Sequence, residues 1–350
     1  MSEASIVCDV VIGDTVATAP QLVVDLGSGA AADIALVGGK AMGLQRLMAA
    51  SLPCPAAFCV TTAALESYLD DTGLRPRLGA LLAAAPDEQA FRELRSIAFE
   101  EELPPPLLEA LAEATDRLRS RHPGSELVAV RSSGADEDSG SHSFAGLHET
   151  QLGVPLKGVG AAVRKCWASL WSEGAIAYRT ECGLPLAETA MAVVVQALVP
   201  ASTSAVVFTA NPLTGDSTEV VVHATCGLGP TLVDNEVTPD VAILGKRDLA
   251  VRQLEVGDKH LRVDPRAAGG LVRSRRNGDA PALSADELVE LAKLAIEVER
   301  RLGTAVDVEA ALGERWELIQ ARPITTLDAR GPAGHPHSPH DAAATDYVPA

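Results

Sequence analysis

Arg131 directly follows a run of four apolar residues that starts at Leu127, and such a run has the length and composition of a buried strand. A segment rich in Ser, Gly, Asp and Glu comes next, and a second stretch with apolar spacing ends at Val154. A guanidinium at the end of a strand can bind phosphate oxygens in pairs, and small residues let backbone N–H groups approach phosphate closely. The stretch 127–154 therefore suits polyphosphate binding, although an ordinary strand–loop–strand with a surface arginine has the same pattern.

Four polar residues with the chemistry of phosphate and metal ligands form two pairs in the stretch 305–324. The members of each pair are two residues apart: Asp307 with Glu309, and Gln320 with Arg322. Alternation of apolar with polar residues predicts a half-buried strand before the turn at Gly313 and a return strand after it. Because side chains repeat every two residues along a strand, each pair shares one face, and Asp307 is expected roughly opposite Gln320. Carboxylate and amide oxygens suit Mg²⁺ that bridges nucleotide phosphates, and the arginine suits the phosphates themselves. The alternative is the exposed polar face of an edge hairpin.

Lys40 follows two glycines, and the apolar residues after it, Leu44, Leu47 and Met48, have the spacing of one helix face. The pattern predicts a helix that starts near Lys40. Glycines in front of a helix with a lysine in its first turn make a candidate anion site. The segment lacks the GxxxxGK[ST] spacing of a Walker A loop, and a solvated first-turn lysine is the alternative.

Composition excludes several classes of protein. The net charge is −18, from 29 basic and 47 acidic residues, which argues against non-specific binding to nucleic acid or to an anionic membrane. A small basic pocket for a phosphorylated ligand is compatible with that charge. Six scattered cysteines without a CxxC pair indicate free, buried thiols in a reducing compartment. The start of the chain lacks a basic n-region, and no apolar run approaches the roughly 20 residues of a membrane span, so we expect a soluble, cytoplasmic protein.

The length of 350 residues predicts two domains or one large one, and a hydrophobic content of 47% is enough for a sizeable core. Closely spaced strands begin at Met191, so we place a boundary near residue 190, between units 1–190 and 191–326. The tail 327–350 is rich in Gly, Pro, His and Ala, and we expect it to be disordered, with its histidines solvated.

Two further segments have clear local signals. Residues 265–281, rich in Gly, Arg and Pro, are predicted to form a loop. Ser284 followed by Glu287 predicts a capping box at the start of a helix over 285–302.

Segments in six places resemble, in the right order, the nucleotide-binding domain of the pyruvate phosphate dikinase and phosphoenolpyruvate synthase family. They are similar also to the ATP-binding domain of the rifampicin phosphotransferases. The six segments are VGGKAMGL, VAVRSSGADEDSGSHSFAGLHETQLGV, MAVVVQALV, VVFTANP, CGLG…VTPD and DVEAALGERWELIQARPI. The likeness runs from about Val37 to Thr326, and the second segment carries the most specific signature.

The resemblance implies an α+β chain with an ATP-grasp fold, in which ATP and Mg²⁺ lie in the cleft between two subdomains. It implies that the phosphate-binding and catalytic cations are Lys40, Arg131 and Arg322. It implies adenine contacts from Gln196 and Leu198, and Mg²⁺ ligands from Glu309 and Gln320. The loop that would close over the phosphates runs from Gly140 to Gly146 and includes Ser143. The site read from residue chemistry agrees with this, because phosphoryl transfer depends on positioning and charge neutralisation.

The chain departs from the family pattern in two respects. Pro230 stands where the family's GLGE segment has a carboxylate, which puts the details of that loop in doubt. After Thr326 the family continues with a mobile phosphohistidine domain and a substrate domain, whereas this chain ends after a short tail, so both are expected to be absent. His142 and His148 have no acceptor role in the family motif.

The expected function is an ATP-dependent phosphotransferase that uses Mg²⁺. The acceptor would be a histidine on a separate partner protein or a small molecule that reaches the cleft directly. In the family, ATP is cleaved to AMP with transfer of the β-phosphoryl group. The alternative of a different class is a non-catalytic ATP-binding regulatory module, and a ligase-like ATP-grasp reaction is the third hypothesis.

Overall fold

The computed structural model describes residues 20–28, 33–83, 101–134, 150–184, 190–276 and 280–324, together with isolated positions between 89 and 99. The strands are β1 (Val23–Asp25), β2 (Ala57–Val60), β3 (Leu127–Gly134), β4 (Thr150–Pro155), β5 (Met191–Ala197), β6 (Thr203–Phe208), β7 (Glu219–Cys226), β8 (Asp240–Gly245), β9 (Val251–Glu255), β10 (Leu261–Pro265), β11 (Leu271–Arg275), β12 (Val306–Leu312) and β13 (Trp316–Pro323). The helices with described bounds are α1 (Ile34–Ala49), α2 (Thr62–Asp71), α3 (Leu74–Ala83), α4 (Pro105–Arg121), α5 (Val159–Ala168), α6 (Glu173–Glu181), α7 (Pro230–Val233) and α8 (Ala285–Leu302). This mixture of helices and antiparallel strands confirms the predicted α+β class.

The first sheet has the strand order β1-β2-β5-β3-β4, and its pairings are antiparallel. Helices α2 to α6 cover one face with a core that includes Phe58 and Trp167. The opposite face packs partly against α1, where Ala192 and Val194 are buried. Strands that are buried on both faces read as continuous apolar runs, which explains the composition of β5.

The strand β5 pairs inside the first sheet, between β2 and β3. The predicted boundary near residue 190 assigns this strand to the second unit, but the change of sheet falls between Ala197 and Thr203. An apolar run indicates a buried strand without indicating which sheet it joins, so the pattern alone could not place β5.

The second sheet has the strand order β13-β12-β6-β7-β8-β9 and is also antiparallel. Helix α8 packs on one of its faces, where Leu291 lies in the same core as Val207 and Val308. The predicted capping box of α8 is confirmed: the Ser284 hydroxyl accepts from the Glu287 amide at 3.3 Å, and the Glu287 carboxylate accepts from the Ser284 amide at 2.7 Å.

Helix α1 belongs to both cores. Leu44 packs in the cluster beneath the first sheet, and Leu47 packs in the cluster of the second sheet. An added Cβ at Gly43 would lie 2.9 Å from the carbonyl oxygen of Ala321 in β13, so the helix and that strand are closely packed. Helix α1 therefore connects the two sheets and brings Lys40 to the space between them.

The start of α1 differs from the sequence prediction. The helix begins at Ile34 rather than near Lys40, and it contains a kink at Gly38, whose φ is 75°. A Cβ at Gly38 would overlap the backbone carbonyl of Ser133, so only glycine lets the kinked segment approach β3 this closely. The apolar spacing after Lys40 describes the straight part of the helix, and the extra first turn before the kink has no such signal.

The hairpin β10–β11 replaces much of the loop predicted over 265–281. Its tip touches the first sheet, since the Gly270 amide donates to the carbonyl of Gly153 in β4 at 2.8 Å. Val263 in the middle of β10 bridges to Gly227, which directly follows β7 of the second sheet. A Cβ at Gly153, whose φ is 69°, would overlap the Gly270 carbonyl. The hairpin therefore contacts both sheets through its backbone, and Val263 and Leu271 also pack in one apolar cluster with Ala129 of β3 and Ala311 of β12.

Two further expectations bear on the chain as a whole. The described cysteines are free thiols, and Cys59, Cys166 and Cys226 are buried whereas Cys54 and Cys182 are partly exposed. In the part of the chain that the structure describes, no helix combines the length and the apolar character that crossing a membrane requires.

His223 on β7 should make stability depend on pH. Its ring packs edge-on against Phe208 at 5.6 Å between centroids, and burial lowers its pKa. Above about pH 6.5 the imidazole is neutral in both states, but below it the unfolded chain takes up the proton first, so folding weakens as pH falls. We expect urea unfolding to show a smaller loss of stability between pH 7.5 and 5.5 for His223→Gln than for wild type. The exposed His260→Gln should behave like wild type, and a wild-type response in His223→Gln would contradict the assignment.

Candidate functional site

A cavity of about 430 Å³ lies between the two sheets. Every predicted site residue within the described chain lines it: Lys40, Arg131, Gln196, Leu198, Glu309, Gln320 and Arg322. The other predicted residues, Gly140, Ser143 and Gly146, lie outside the described residues. Residues far apart in the sequence therefore share one site, while the role of each stays a prediction.

Arg131 joins the two sheets at the centre of this cavity. Its side chain is only 11% exposed, and one guanidinium nitrogen (an Nη) donates to Glu309 Oε2 at 2.9 Å and to Gln320 Oε1 at 3.0 Å. Its Nε is buried and has no hydrogen-bond partner among the described residues. A buried guanidinium with a donor left over is well suited to bind an anionic oxygen that enters the cavity.

The hairpin β12–β13 carries the acceptors for Arg131, but in a register that differs from the prediction. Glu309 pairs with Gln320, and Asp307 pairs with Arg322 rather than with Gln320. One residue of this shift comes from the turn, because Leu312 pairs with Trp316 and leaves three residues between them. The other comes from a bulge between Glu309 and Ala310, which leaves Ile319 without a partner.

The polar side chains of the hairpin do not form an exposed face, so the alternative of an exposed polar face on an edge hairpin is wrong. Arg322 Nε donates to Asp307 Oδ2 at 2.9 Å, an Nη of the same guanidinium lies 2.9 Å from that oxygen, and Asp307 is only 6% exposed. Gln320 is also buried. Two contacts from one guanidinium to the Asp307 carboxylate restrict the rotation of Arg322, whose side chain lines the cavity.

Gln196 and Leu198 lie beside the apolar part of the cavity. The Gln196 amide nitrogen donates to the carbonyl of Ile319, the bulged residue, at 3.4 Å, and Gln196 is almost completely buried. Leu198 packs in a cluster of apolar residues at this end: Ala129, Val199, Ala201, Leu228, Val263 and Ala311. Strand β5 and the residue that follows it thus supply one polar and one apolar side chain to a largely apolar wall.

Polarity changes along the cavity in the same direction on both sheets. On β3, apolar Ala129 precedes Arg131 on the same face. On β12, apolar Ala311 lies near the turn, and Glu309 lies two residues farther from the turn on the same face. Lys40 and Arg322 also line the cavity. The site therefore suits a ligand that joins an apolar group to an anionic chain.

The loop with the missing carboxylate folds without strain. Pro230 is the first residue of the short helix α7, where a proline lacks only an amide that has no helical partner. Asp234, at the end of α7, lines the cavity and has its pKa raised by burial and by nearby Glu236, while Arg273 opposes that shift. Sequence reasoning missed Asp234, because no motif spacing singled it out.

Sequence reasoning also missed the parts of the wall that come from other elements. Thr150 and Leu152 of β4, Ser204 and Val206 of β6, and Leu271 of β11 line the cavity. Their apolar or small side chains carry no chemical signal, and only the pairing of strands brings them to the site.

Two side-chain oxygens of the cavity wall, from Glu309 and Gln320, have the chemistry of Mg²⁺ ligands. Glu309 Oε2 and Gln320 Oε1 converge on one guanidinium nitrogen at 2.9 and 3.0 Å, so both oxygens point at a single cationic group. Mg²⁺ prefers hard oxygen ligands and is commonly held by one or two side chains together with substrate phosphates. No three His, Cys, Asp or Glu side chains converge as a metal site within the described ranges. The residues fit a Mg²⁺ ion that is shared with a phosphate ligand rather than one held by protein alone.

Removing the guanidinium of Arg131 should destabilise the fold through the acceptors that it leaves behind. We expect Arg131→Met to lower the free energy of unfolding by about 1–3 kcal/mol, because Glu309 and Gln320 lose their donor. In the Glu309→Gln background the loss should be smaller, since no carboxylate is left unpaired. Urea unfolding measures both values, and the exposed Arg266→Met serves as control. Equal losses for Arg131→Met and Arg266→Met would contradict the interpretation.

Comparison with known proteins shows the family of this chain. Residues 34–340 match the family model described as pyruvate phosphate dikinase, AMP/ATP-binding domain. The prodigiosin synthesizing transferase PigC of Serratia marcescens is 38% identical over 315 residues, covering 88% of this chain and 33% of that protein. A probable phosphoenolpyruvate synthase of Methanocaldococcus jannaschii is 34% identical, covering 84% of this chain and 26% of that protein. A rifampicin phosphotransferase of Streptomyces sp. is 34% identical, covering 88% and 36%.

The chain spans about a quarter to a third of the length of these relatives. The residues that match the family model include all the strands given above except β1. The family match covers most of the chain, from before Lys40 to beyond Arg322. The chain belongs to the family of the pyruvate phosphate dikinase AMP/ATP-binding domain.

Proposed function

We propose that this chain is an ATP-dependent phosphotransferase domain that binds ATP with Mg²⁺ in the cavity between its two sheets. One observation carries the proposal: a buried arginine of the first sheet meets a carboxylate and an amide of the second sheet, at 2.9 and 3.0 Å. Phosphoryl transfer needs cations and metal ligands held at fixed distances from one another, and this contact supplies both from opposite walls.

In this proposal the two sheets with their helices are the two subdomains of an ATP-grasp fold. Gln196 and Leu198 bind the adenine, because they line the apolar part of the wall where a flat ring can pack. Lys40, Arg131 and Arg322 bind the phosphates and neutralise their charge. The loop Gly140–Gly146, with Ser143, closes over the phosphates, as the family resemblance implies.

Glu309 and Gln320 would hold the Mg²⁺ ion. The metal would neutralise phosphate charge and orient the reacting phosphoryl group. Arg131 contacts the same two oxygens, so binding of the metal requires its guanidinium to turn toward the phosphates. Among the described residues, Arg131 Nε has no hydrogen-bond partner, so this nitrogen can still donate to another oxygen.

The phosphoryl acceptor is either a histidine of a separate partner protein or a small molecule that enters the cavity. The names of two relatives, a rifampicin phosphotransferase and a prodigiosin synthesizing transferase, show that related proteins act on different molecules.

The nucleotide product tests the proposal directly. We expect purified protein with ATP, Mg²⁺ and a competent acceptor to form AMP, resolved from ADP by anion-exchange chromatography. Glu309→Ala should reduce turnover at least about a hundredfold, because the Mg²⁺ ion that would neutralise the transferring phosphate loses a carboxylate ligand. Glu314→Ala, in the exposed turn of the same hairpin, is the matched control and should retain full activity.

Other products would change the conclusion. ADP would indicate a simple kinase or a ligase. ATP binding without turnover with any acceptor, in wild type and Glu309→Ala alike, would indicate a non-catalytic regulatory module. An unchanged rate in Glu309→Ala would refute the assignment of the metal ligand.

A further inference from the structure

Ser133 is a fully buried side chain that none of the roles above uses. It lies on β3 two residues after Arg131, so the two side chains share one face of the first sheet. Its hydroxyl donates to the carbonyl of Val37 at 2.8 Å and accepts from the amide of Ala41 at 3.2 Å. Both partners belong to helix α1.

Val37 and Ala41 are the two residues that an unbroken helix would join directly. In an α-helix each amide donates to the carbonyl four residues earlier, so the Ala41 amide would bond the Val37 carbonyl. Here the φ of 75° at Gly38 opens that turn, and the Ser133 hydroxyl takes both ends of the missing bond. Insertion of a side chain into the helical hydrogen-bond ladder is a known cause of sharp kinks.

The opened turn contains Lys40. It is bounded by Val37 and Ala41, and its position on the first sheet is set by the close approach of Gly38 to the backbone of Ser133. Ser133 and Arg131 are one strand repeat apart, about 7 Å. Strand β3 therefore carries both Arg131 and the Ser133 hydroxyl that bridges the turn containing Lys40.

We propose that Ser133 is a positioning residue that sets the location of the Lys40 ammonium relative to Arg131, and so the spacing of two cations that bind one polyphosphate chain. This inference rests on the proposed function, since it assumes that Lys40 and Arg131 contact the same nucleotide. The hydroxyl is bonded to the backbone of α1 at Val37 and Ala41, and in this proposal it acts through the turn that it bridges.

The test compares Ser133→Ala with Ser132→Ala in titrations with Mg²⁺–ATP by calorimetry. Ser132 is the matched control, because it is the adjacent, equally buried serine and points to the opposite face of the strand. We expect Ser133→Ala to raise the Kd for ATP about tenfold. A change of this size corresponds to the net contribution of one strong hydrogen bond. Ser132→Ala should leave Kd within about twofold of the wild-type value, a change within the usual range of a neutral substitution.

A double-mutant cycle separates positioning from general destabilisation. In the Lys40→Met background, Ser133→Ala should have little further effect on Kd, because the side chain that it positions is gone. Ser133→Cys, which keeps the volume with a weaker donor, should give an intermediate Kd and covers the case in which Ser133→Ala does not fold. Hydrogen exchange at the Ala41 amide should accelerate in Ser133→Ala and not in Ser132→Ala.

The outcomes distinguish this inference from the function on which it rests. Equal ATP affinities for wild type and Ser133→Ala, or a full effect of Ser133→Ala in the Lys40→Met background, would overturn the role of Ser133 alone. Failure of the wild type to bind ATP would overturn the proposed function, and the role assigned to Ser133 with it.

Discussion

The contact of the Arg131 guanidinium with Glu309 and Gln320 is the interaction on which the site depends. A charge that is nearly removed from water is costly unless it is paired and hydrogen-bonded, and here both acceptors come from the other sheet. The two sheets must therefore be held in one relative position for the arginine to be satisfied. Helix α1, packed in both cores, and the hairpin β10–β11, touching both sheets, provide that constraint.

A buried charge of this kind is weak evidence for stability and stronger evidence for a task. Apolar residues of similar volume would often pack as well, so a guanidinium, a carboxylate and an amide in one cavity point to binding of a charged ligand. The polar groups also sit on strands rather than on loops, which limits their movement. Such rigidity is what transfer of a phosphoryl group requires, because its catalysis consists mostly of placement and charge neutralisation. The membership of the chain in an ATP-binding family agrees with this reading of the cavity.

Much of the site could be predicted from the sequence, since its residues fall at strand ends or at two-residue intervals. The period of a strand correctly predicted that Asp307 shares a face with Glu309 and that Gln320 shares a face with Arg322, yet the pairing of Asp307 with Arg322 was missed. Register depends on the number of residues in the turn and on the bulge at Ile319, and neither changes the alternation that a sequence displays. The kink at Gly38 was missed for a related reason: its cause is a hydroxyl on β3, far away in the sequence. Local patterns thus predicted which residues carry chemistry, whereas contacts between distant segments decided their exact partners.

The double membership of α1 has a mechanical consequence. Leu44 is embedded beneath one sheet and Leu47 in the core of the other, and only one helical turn separates them. If one sheet rotates away from the other, α1 cannot keep its packing against both sheets without moving. Such a rotation must tilt or slide α1, and Lys40 lies on the same helix one turn before Leu44. Admission of a ligand to the cavity and withdrawal of the lysine from it would then be a single movement, with the helix acting as the lever.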